Sequence, residues 1–331
     1  MKVLLATPNF HQPRGNTITV QRIADGLEKL GINTEIISTT ENQLIKSLPE
    51  ADIVHGFHAY RFYTFMQQLD TKPKAYMITM TGTDLNHNLY DDDTRHDVIT
   101  CLREAKAIHV FNEEGKKKIE KEIPEIMDKL FMIPQGTSAF TQASIPHKKQ
   151  DGSFLFVLPA GIRKIKNVPA AITMLKLLRE KYTNIRLWLV GPILEEAEGI
   201  KVKRLVEENN EWVSYLGQVP HDQMGTIYRQ ADCILNTSVS EGQSSAILEA
   251  MGYGLPVLVA NNEGNASIVM HEETGFIYDS SSQFLDYAAQ IMNNITLRQA
   301  IGHQAKSYIS AHHSGNDEVE SLLRIYKTRL K

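Results

Sequence analysis

Apolar residues along this chain come in short runs separated by amphipathic or polar stretches. "KVLLAT" has the length of a strand, and the polar loop "NFHQPRGNT" follows it. Next, Val20, Ile23, Ala24, Leu27 and Leu30 recur at helical spacing up to Gly31, a predicted helix stop. "NTEIIS", "ADIVHGF", "AYMITMTG" and "AIHVFN" read as further strands with helical or polar segments between them. Strands alternating with helices in this way predict a parallel sheet covered on both faces.

The polar stretch from Ile145 to Ser153 breaks the alternation, which restarts with "FLFVLPAG" and continues through "IRLWLVG", "VSYLGQ", "DCILNTS", "LPVLVAN" and "TGFIY". The pattern predicts an α/β protein of two Rossmann-like domains, 1–148 and 149–311, with an interdomain cleft as the expected ligand site. A last helix over 314–331 is predicted from Val319, Leu322, Leu323 and Tyr326. Asp317 and Glu318 stand early in it and Lys327, Arg329 and Lys331 late, as the helix dipole favours.

Composition narrows the function without choosing it. The 331 residues suffice for two cores, and the formal net charge of -4 favours neither nucleic acid nor a membrane surface. The apolar runs are far shorter than a bilayer span, and the first of them reads as a strand, too short for a leader. Cys101 and Cys233 lie far apart, which fits a reduced, cytoplasmic protein. His55 and His58 are the nearest approach to a metal pair, with no further ligand spaced to complete a site, so no metal is expected. His312–His313 reads as a polar connector, and "EEGKKKIEKE" as a solvated helix face, with peripheral contact to anionic lipid as an alternative that nothing else in the sequence indicates.

The chemistry concentrates in "NTSVSEGQSSAILEAMGYGLPVLVA", Asn236 to Ala260. A strand ends, a loop carries Glu241, Gly242 and Gln243, and a helix starts near Ser244 and Ser245. Ala246, Ile247, Ala250 and Met251 supply its buried side, and Gly252 and Gly254 end it. The start of such a helix favours an anion. Glu241 precedes it and Glu249 lies inside it, roughly 7–8 Å along the axis. Carboxylates so placed can hold hydroxyls at the two ends of an extended ligand with a diphosphate between them, the layout of a sugar–diphosphate–ribose molecule.

A Glu, seven residues and a second Glu within "SEG…LEAM…G.PV" resembles the donor-site signature of the retaining group 1 glycosyltransferases, which have the GT-B fold. "SVSEG", "AILEAM" and "GNA" resemble more closely the glycosyltransferase 1 domain-containing branch, and the similarity is strongest from Val157 to Tyr278. The resemblance implies that Glu249 binds the ribose hydroxyls and Glu241 the donor sugar. A leaving diphosphate calls for positive charge, which "PAGIRKIKN" offers at a strand end. The family pattern carries over to Arg163 and Lys166, with Lys164 as the alternative in a loop shorter than the common one.

Further positions follow from the same resemblance. In "PRGNT", Gly15 allows close backbone approach and Asn16 or Thr17 can cap the next helix. The family loop contacts donor phosphate or acceptor there. In "MTGTDLN", Thr81 stands where many members have His, while Thr83 and Asp84 are sugar or acceptor candidates, Asp84 equally a turn or cap residue. Gly191 and Gly217 end strands where the family places the base, and ordinary strand-end turns would also account for them. Ser267 stands where the family often has Glu, leaving Asn265 as a replacement contact.

The resemblance thus implies a metal-independent, hexosyltransferase-type enzyme without cofactor. It would use a sugar nucleotide, UDP-sugar slightly favoured, and a small-molecule or glycan acceptor, retaining anomeric configuration. The last helix is expected to return to the first domain. Rival readings are a selenosugar-synthase-like transfer to a small acceptor, a sugar-nucleotide epimerase, and a non-catalytic sugar-nucleotide-binding protein. A dinucleotide oxidoreductase is disfavoured because no G-x-G-x-x-G follows either leading strand.

Overall fold

The near-continuous apolar runs form parallel strands, and the best buried of them lie in the middle of two sheets, as strands covered on both faces require. The first sheet consists of β1 (Lys2–Thr7), β2 (Asn33–Ser38), β3 (Ile53–Phe57), β4 (Met77–Thr79), β5 (Ala107–Val110) and β6 (Leu130–Met132), in the order β2-β1-β3-β4-β5-β6. The second consists of β7 (Phe154–Pro159), β8 (Ile185–Val190), β9 (Val213–Gly217), β10 (Cys233–Asn236), β11 (Val257–Ala260) and β12 (Phe276–Tyr278), in the order β12-β11-β10-β7-β8-β9. The helices are α1 (Gly15–Lys29), α2 (Ala59–Met66), α3 (Arg95–Glu104), α4 (Glu113–Glu122), α5 (Val168–Arg179) and α6 (Glu196–Glu208). After them come α7 (Met224–Tyr228), α8 (Ser245–Gly252), α9 (Glu263–Ala266), α10 (Ser281–Asn293), α11 (Ile295–His312) and α12 (Gly315–Arg329).

This computed structural model describes residues 1–12, 15–41, 45–137, 140 and 147–330. Pro13 and Arg14 of "PRGNT", Ile145 and Pro146 of the polar connector, and Lys331 lie outside the described residues. The chain forms two compact units, Met1–Gly136 with His313–Lys331, and Thr137–His312.

Each sheet has a point where strand order reverses, and this is where an open α/β sheet binds ligands at its carboxyl edge. In the first unit the reversal lies between β1 and β3, so the loops entering α1 and α2 flank it. In the second it lies between β7 and β10, so the loops entering α5 and α8 flank it. Those two loops carry Arg163, Lys166 and Glu241.

The helix α12 belongs to the first unit, where its polar contacts are buried. Arg22 Nε and Nη2 of α1 donate to the two carboxylate oxygens of Glu318 at 3.0 and 2.9 Å. A polar chain runs from Tyr326 Oη to His55 Nδ1 (2.6 Å), His55 Nε2 to Thr79 Oγ1 (2.7 Å), Thr79 Oγ1 to His109 Nδ1 (2.9 Å) and His109 Nε2 to the Ile133 carbonyl (2.9 Å). The carbonyl accepts only, so His109 Nε2 carries the proton, and every other member then donates toward Ile133. Burial, with the neighbouring His109, pushes the His55 pKa well down. Burial also pushes His109 down, to about 4, so both rings are neutral.

Several sequence expectations change in detail. Helix α1 starts at Gly15, so Asn16 and Thr17 lie in its first turn and do not cap it; the Thr17 hydroxyl bonds back to the Gln12 carbonyl at 2.8 Å. Leu30 follows the helix and is exposed, because α1 ends at Lys29 before Gly31 turns left-handed. Leu323 and Ala246 are half-buried. His312 lies in α11, while His313 stands in the short connector before α12 but is buried there, its Nδ1 donating to the Gln135 carbonyl at 2.8 Å. Strand β6 was not singled out from the sequence: its three apolar residues make only a short run, half exposed at a sheet edge.

Candidate active site

The loop after β7 and the loop after β10 are bonded to one another. Thr237 Oγ1 donates to the Lys166 carbonyl at 2.9 Å, and the Val239 N–H to the Ile165 carbonyl at 2.9 Å. Asn236 ends β10 inside the protein and organises the turn beyond it. Its Oδ1 accepts from the Ser238 N–H at 2.9 Å, and its Nδ2 donates to Glu241 Oε1 at 3.1 Å. Ser238 Oγ donates to the same oxygen at 2.7 Å, and the Lys166 ammonium pairs with it.

The Glu241 side chain is only 10% exposed and that of Lys166 15%. Burial works against the Glu241 charge, but the Lys166 ammonium, aided by Ser238 and Asn236, outweighs it and leaves the pKa lowered. Glu241 is therefore a carboxylate throughout the neutral range. Lys164, the alternative cation, is exposed, and its N–H bonds Glu195 Oε2 at 2.8 Å. Arg163 is half-buried, with an Nε that is buried and has no hydrogen-bond partner.

Helix α8 leaves the loop at its N-cap, Ser244, whose side chain makes no capping bond to the helix. A serine there ordinarily satisfies one of the first-turn N–H groups; here its hydroxyl instead accepts from Asn236 Nδ2 at 3.5 Å. Ser245 opens the helix, and Glu249 faces inward from it, 7% exposed. Each carboxylate oxygen of Glu249 receives one donor: His221 Nε2 to Oε1 and Tyr228 Oη to Oε2, both at 2.8 Å. Burial, and then the adjacent Glu249 charge, push the Tyr228 hydroxyl well above its usual pKa, so it remains a donor. An ionised carboxylate has about four acceptor positions, so two remain for ligand hydroxyls.

Helix α9 closes the far side of the loop. Asn262 Nδ2 donates to the Ser238 carbonyl at 2.9 Å. A Cβ on Gly264 would collide with the Gly242 carbonyl and with Glu241, so this contact requires glycine. Gln243 Nε2 reaches Ser267 Oγ at 3.4 Å. Asn265 is wholly buried, and its Nδ2 donates to the Ala260 carbonyl at 2.8 Å and to Asn236 Oδ1 at 3.3 Å. Expected as a sugar contact, it holds Asn236, which in turn holds Glu241.

The structure therefore brings Lys166, Glu241, Gly242, Gln243, Ser244, Ser245 and Glu249 into one arrangement, with Arg163 in the adjoining loop. Gly191 and Gly217 end β8 and β9, and the Gly191 N–H donates to the Gly217 carbonyl at 2.7 Å. Gly191 has φ of 147°, and a Cβ there would strike the Ala160 carbonyl, so its own backbone neighbours already demand glycine. Gly15, Asn16, Thr83 and Asp84 belong to the first unit. Thr83 is exposed, but the Asp84 carboxylate is buried. It accepts from the Ala59 N–H and from both the N–H and the hydroxyl of Thr81, each at 2.7 Å. Of its two expected roles, the structural one accounts for these bonds.

His221, Tyr228, Ser238 and Asn236 were not singled out from the sequence. A polar residue closing the apolar strand "CILN" was a usable signal for Asn236; nothing in "HDQMGTIYRQ" pointed to Glu249. Among the described residues no group of three or more His, Cys, Asp or Glu could hold a metal ion, and no helix is long and apolar enough to cross a membrane.

Comparisons with known proteins give the family and the fold. The chain is 26% identical over 327 residues to Glycosyltransferase 1 domain-containing protein 1 of Xenopus tropicalis, covering 95% of this chain and 94% of that one. It is 27% identical over 202 residues to D-inositol 3-phosphate glycosyltransferase of Pseudarthrobacter chlorophenolicus, covering 57% and 47%. Among solved structures, sucrose-phosphate synthase of Thermosynechococcus elongatus superposes with a TM-score of 0.79 at 15% identity, covering 99% and 98% of the two chains. Anabaena HepE in complex with UDP and glucose gives a TM-score of 0.79 at 15% identity, covering 99% and 100%. These likenesses show the GT-B fold. The profile described as "Glycosyl transferases group 1" matches residues 140–308, half of the chain, including both carboxylates and both cations; the chain belongs to the group 1 glycosyltransferase family.

Proposed function

We propose that this glycosyltransferase transfers a hexosyl unit from a nucleoside-diphosphate sugar to a small-molecule or glycan acceptor, with retention and without a metal. The observation that carries the reading is the start of α8 at the β7–β10 switch point, with Glu241 before it, Glu249 inside it and no capping bond from its N-cap side chain. Glu249, already oriented by His221 and Tyr228, binds the ribose hydroxyls. The first-turn N–H groups of α8, Arg163 and Lys166 take the diphosphate, and Glu241 holds the sugar. Gly191 and Gly217 lie beside the base. HepE was solved with UDP, which supports UDP as the nucleotide here. In the first unit Gly15 and Asn16 are candidates for the donor phosphate or the acceptor and Thr83 for the sugar or the acceptor, and the two free, buried cysteines fit a cytoplasmic setting.

In the reaction the bond from the anomeric carbon to the diphosphate oxygen breaks as the acceptor oxygen bonds to that carbon from the same face. The acceptor proton passes to the departing diphosphate. Fixed positive charge at the leaving group stabilises the transition state without a metal. Glu241 is engaged by Lys166, Ser238 and Asn236, which suits a positioning carboxylate better than a nucleophile.

A thermal-shift panel of UDP, GDP, ADP and their sugar nucleotides, with and without a chelator, tests this. A ligand at about 100 times its Kd should add roughly 2.7 kcal/mol of stability. The expected result is a chelator-insensitive shift with one base, abolished in Glu249→Ala. A shift that survives Glu249→Ala would overturn the ribose assignment, and one that needs a divalent ion would overturn the metal-free mechanism.

A further inference from the structure

Gln243 sits between Glu241 and the N-cap of α8. Its Nε2 donates to Ser267 Oγ at 3.4 Å, and the Ser267 hydroxyl donates to the Gly264 carbonyl at 2.8 Å. Ser267 has thus committed its proton and can only accept from Gln243, which fixes the amide with its nitrogen toward Ser267 and its oxygen away. That oxygen, Oε1, is buried and has no hydrogen-bond partner.

An unpartnered buried carbonyl is a standing cost. The bond that holds it there lies at the long end of hydrogen-bond distances and is cheap to give up. Asn265 also has an unpartnered buried oxygen, but its nitrogen is tied to Ala260 and Asn236 and the residue is wholly buried. Gln243 is half-buried and long enough to reorient.

We propose that Gln243 is a specificity-determining residue of the donor site, its carbonyl accepting a hydrogen bond from a free hydroxyl of the transferred sugar. This rests on the donor-site reading above: with ribose at Glu249 and diphosphate at the start of α8, the sugar falls on the side of Glu241 and Gln243. Both present acceptors, so the class they select is a hexose whose facing hydroxyls are unsubstituted and able to donate. A sugar deoxygenated at that position leaves the carbonyl unsatisfied and is discriminated against.

Calorimetric titration of wild type, Gln243→Met and Ser267→Ala with UDP, UDP-glucose, UDP-N-acetylglucosamine, GDP and GDP-mannose tests this. In Gln243→Met the affinity for the nucleoside diphosphate should be unchanged, while that for its sugar nucleotide falls about tenfold, the size of one neutral hydrogen bond. Ser267→Ala, which frees Gln243, should keep or tighten sugar-nucleotide binding. Deoxygenating the sugar at successive positions should reveal one analogue that binds wild type weakly and loses nothing more in Gln243→Met. Equal losses for diphosphate and sugar nucleotide, or no loss for either, overturn the proposal. Wild type binding none of the nucleotides would remove the donor-site reading itself, a failure visible with the wild-type protein alone.

Discussion

Lys164 and Lys166 stand two residues apart in different surroundings. Lys166 is largely buried against Glu241, whereas Lys164 faces solvent and its backbone N–H bonds Glu195. Removing a cation that meets the leaving diphosphate typically lowers kcat roughly 100- to 1,000-fold. Lys166→Ala should show that loss in steady-state transfer assays, and Lys164→Ala should stay within about twofold, as exposed substitutions generally do. The reverse order would transfer the role to Lys164. Tyr228→Phe removes the donor to Glu249 Oε2 and should raise the donor KM by about tenfold with little change in kcat, because that bond orients a binding group.

At the scale of elements, α8 was legible in the amino-acid pattern because its boundary residues are local signals: a loop glycine, serines at the start, glycines at the end. Its partners were not. Glu249 meets His221 and Tyr228, 28 and 21 residues away, and the loop carrying Glu241 is braced by α9. The contact between Gly264 and the Gly242 carbonyl has no room for a side chain. Gly264→Ala should therefore push α9 off the loop and weaken sugar-nucleotide binding, measured by titration, while far-UV circular dichroism remains that of the wild type. Unchanged affinity would show that α9 does not set the position of Glu241.

For the whole molecule, the polar interior of the first unit makes stability depend on pH. His109 titrates at about 4 when folded and near 6.5 when unfolded, and His55 is shifted the same way by burial. Between those values the unfolded chain binds more protons, so unfolding becomes easier as pH falls from about 6.5 to about 4, where the contribution of His109 levels off. The lowered Glu241 pKa acts in the same direction, since stability contributed by its charge is lost as pH falls through the folded value. Urea midpoints should drop over that window, with a shallower slope in a folded His109→Gln variant. Glu318→Ala leaves the Arg22 charge buried without its partner and should cost about 3–5 kcal/mol by denaturant titration. A cost below about 1 kcal/mol would mean that water reaches Arg22.

Strand and helix periodicity, and the placing of Glu241 before a helix start with Glu249 inside that helix, were determined by the sequence itself, because each depends on residues within a few positions of one another. The tertiary structure decided which lysine is buried beside Glu241, that Asp84 and Asn265 are engaged by the protein's own groups, and that Gln243 keeps an unsatisfied carbonyl. It also decided the donors to Glu249 and the buried chain from Tyr326 to Ile133. A hydrogen bond joins atoms within about 3 Å whatever their separation along the chain. Local pattern can say which residues are able to donate or accept, but only folding settles which of them meet.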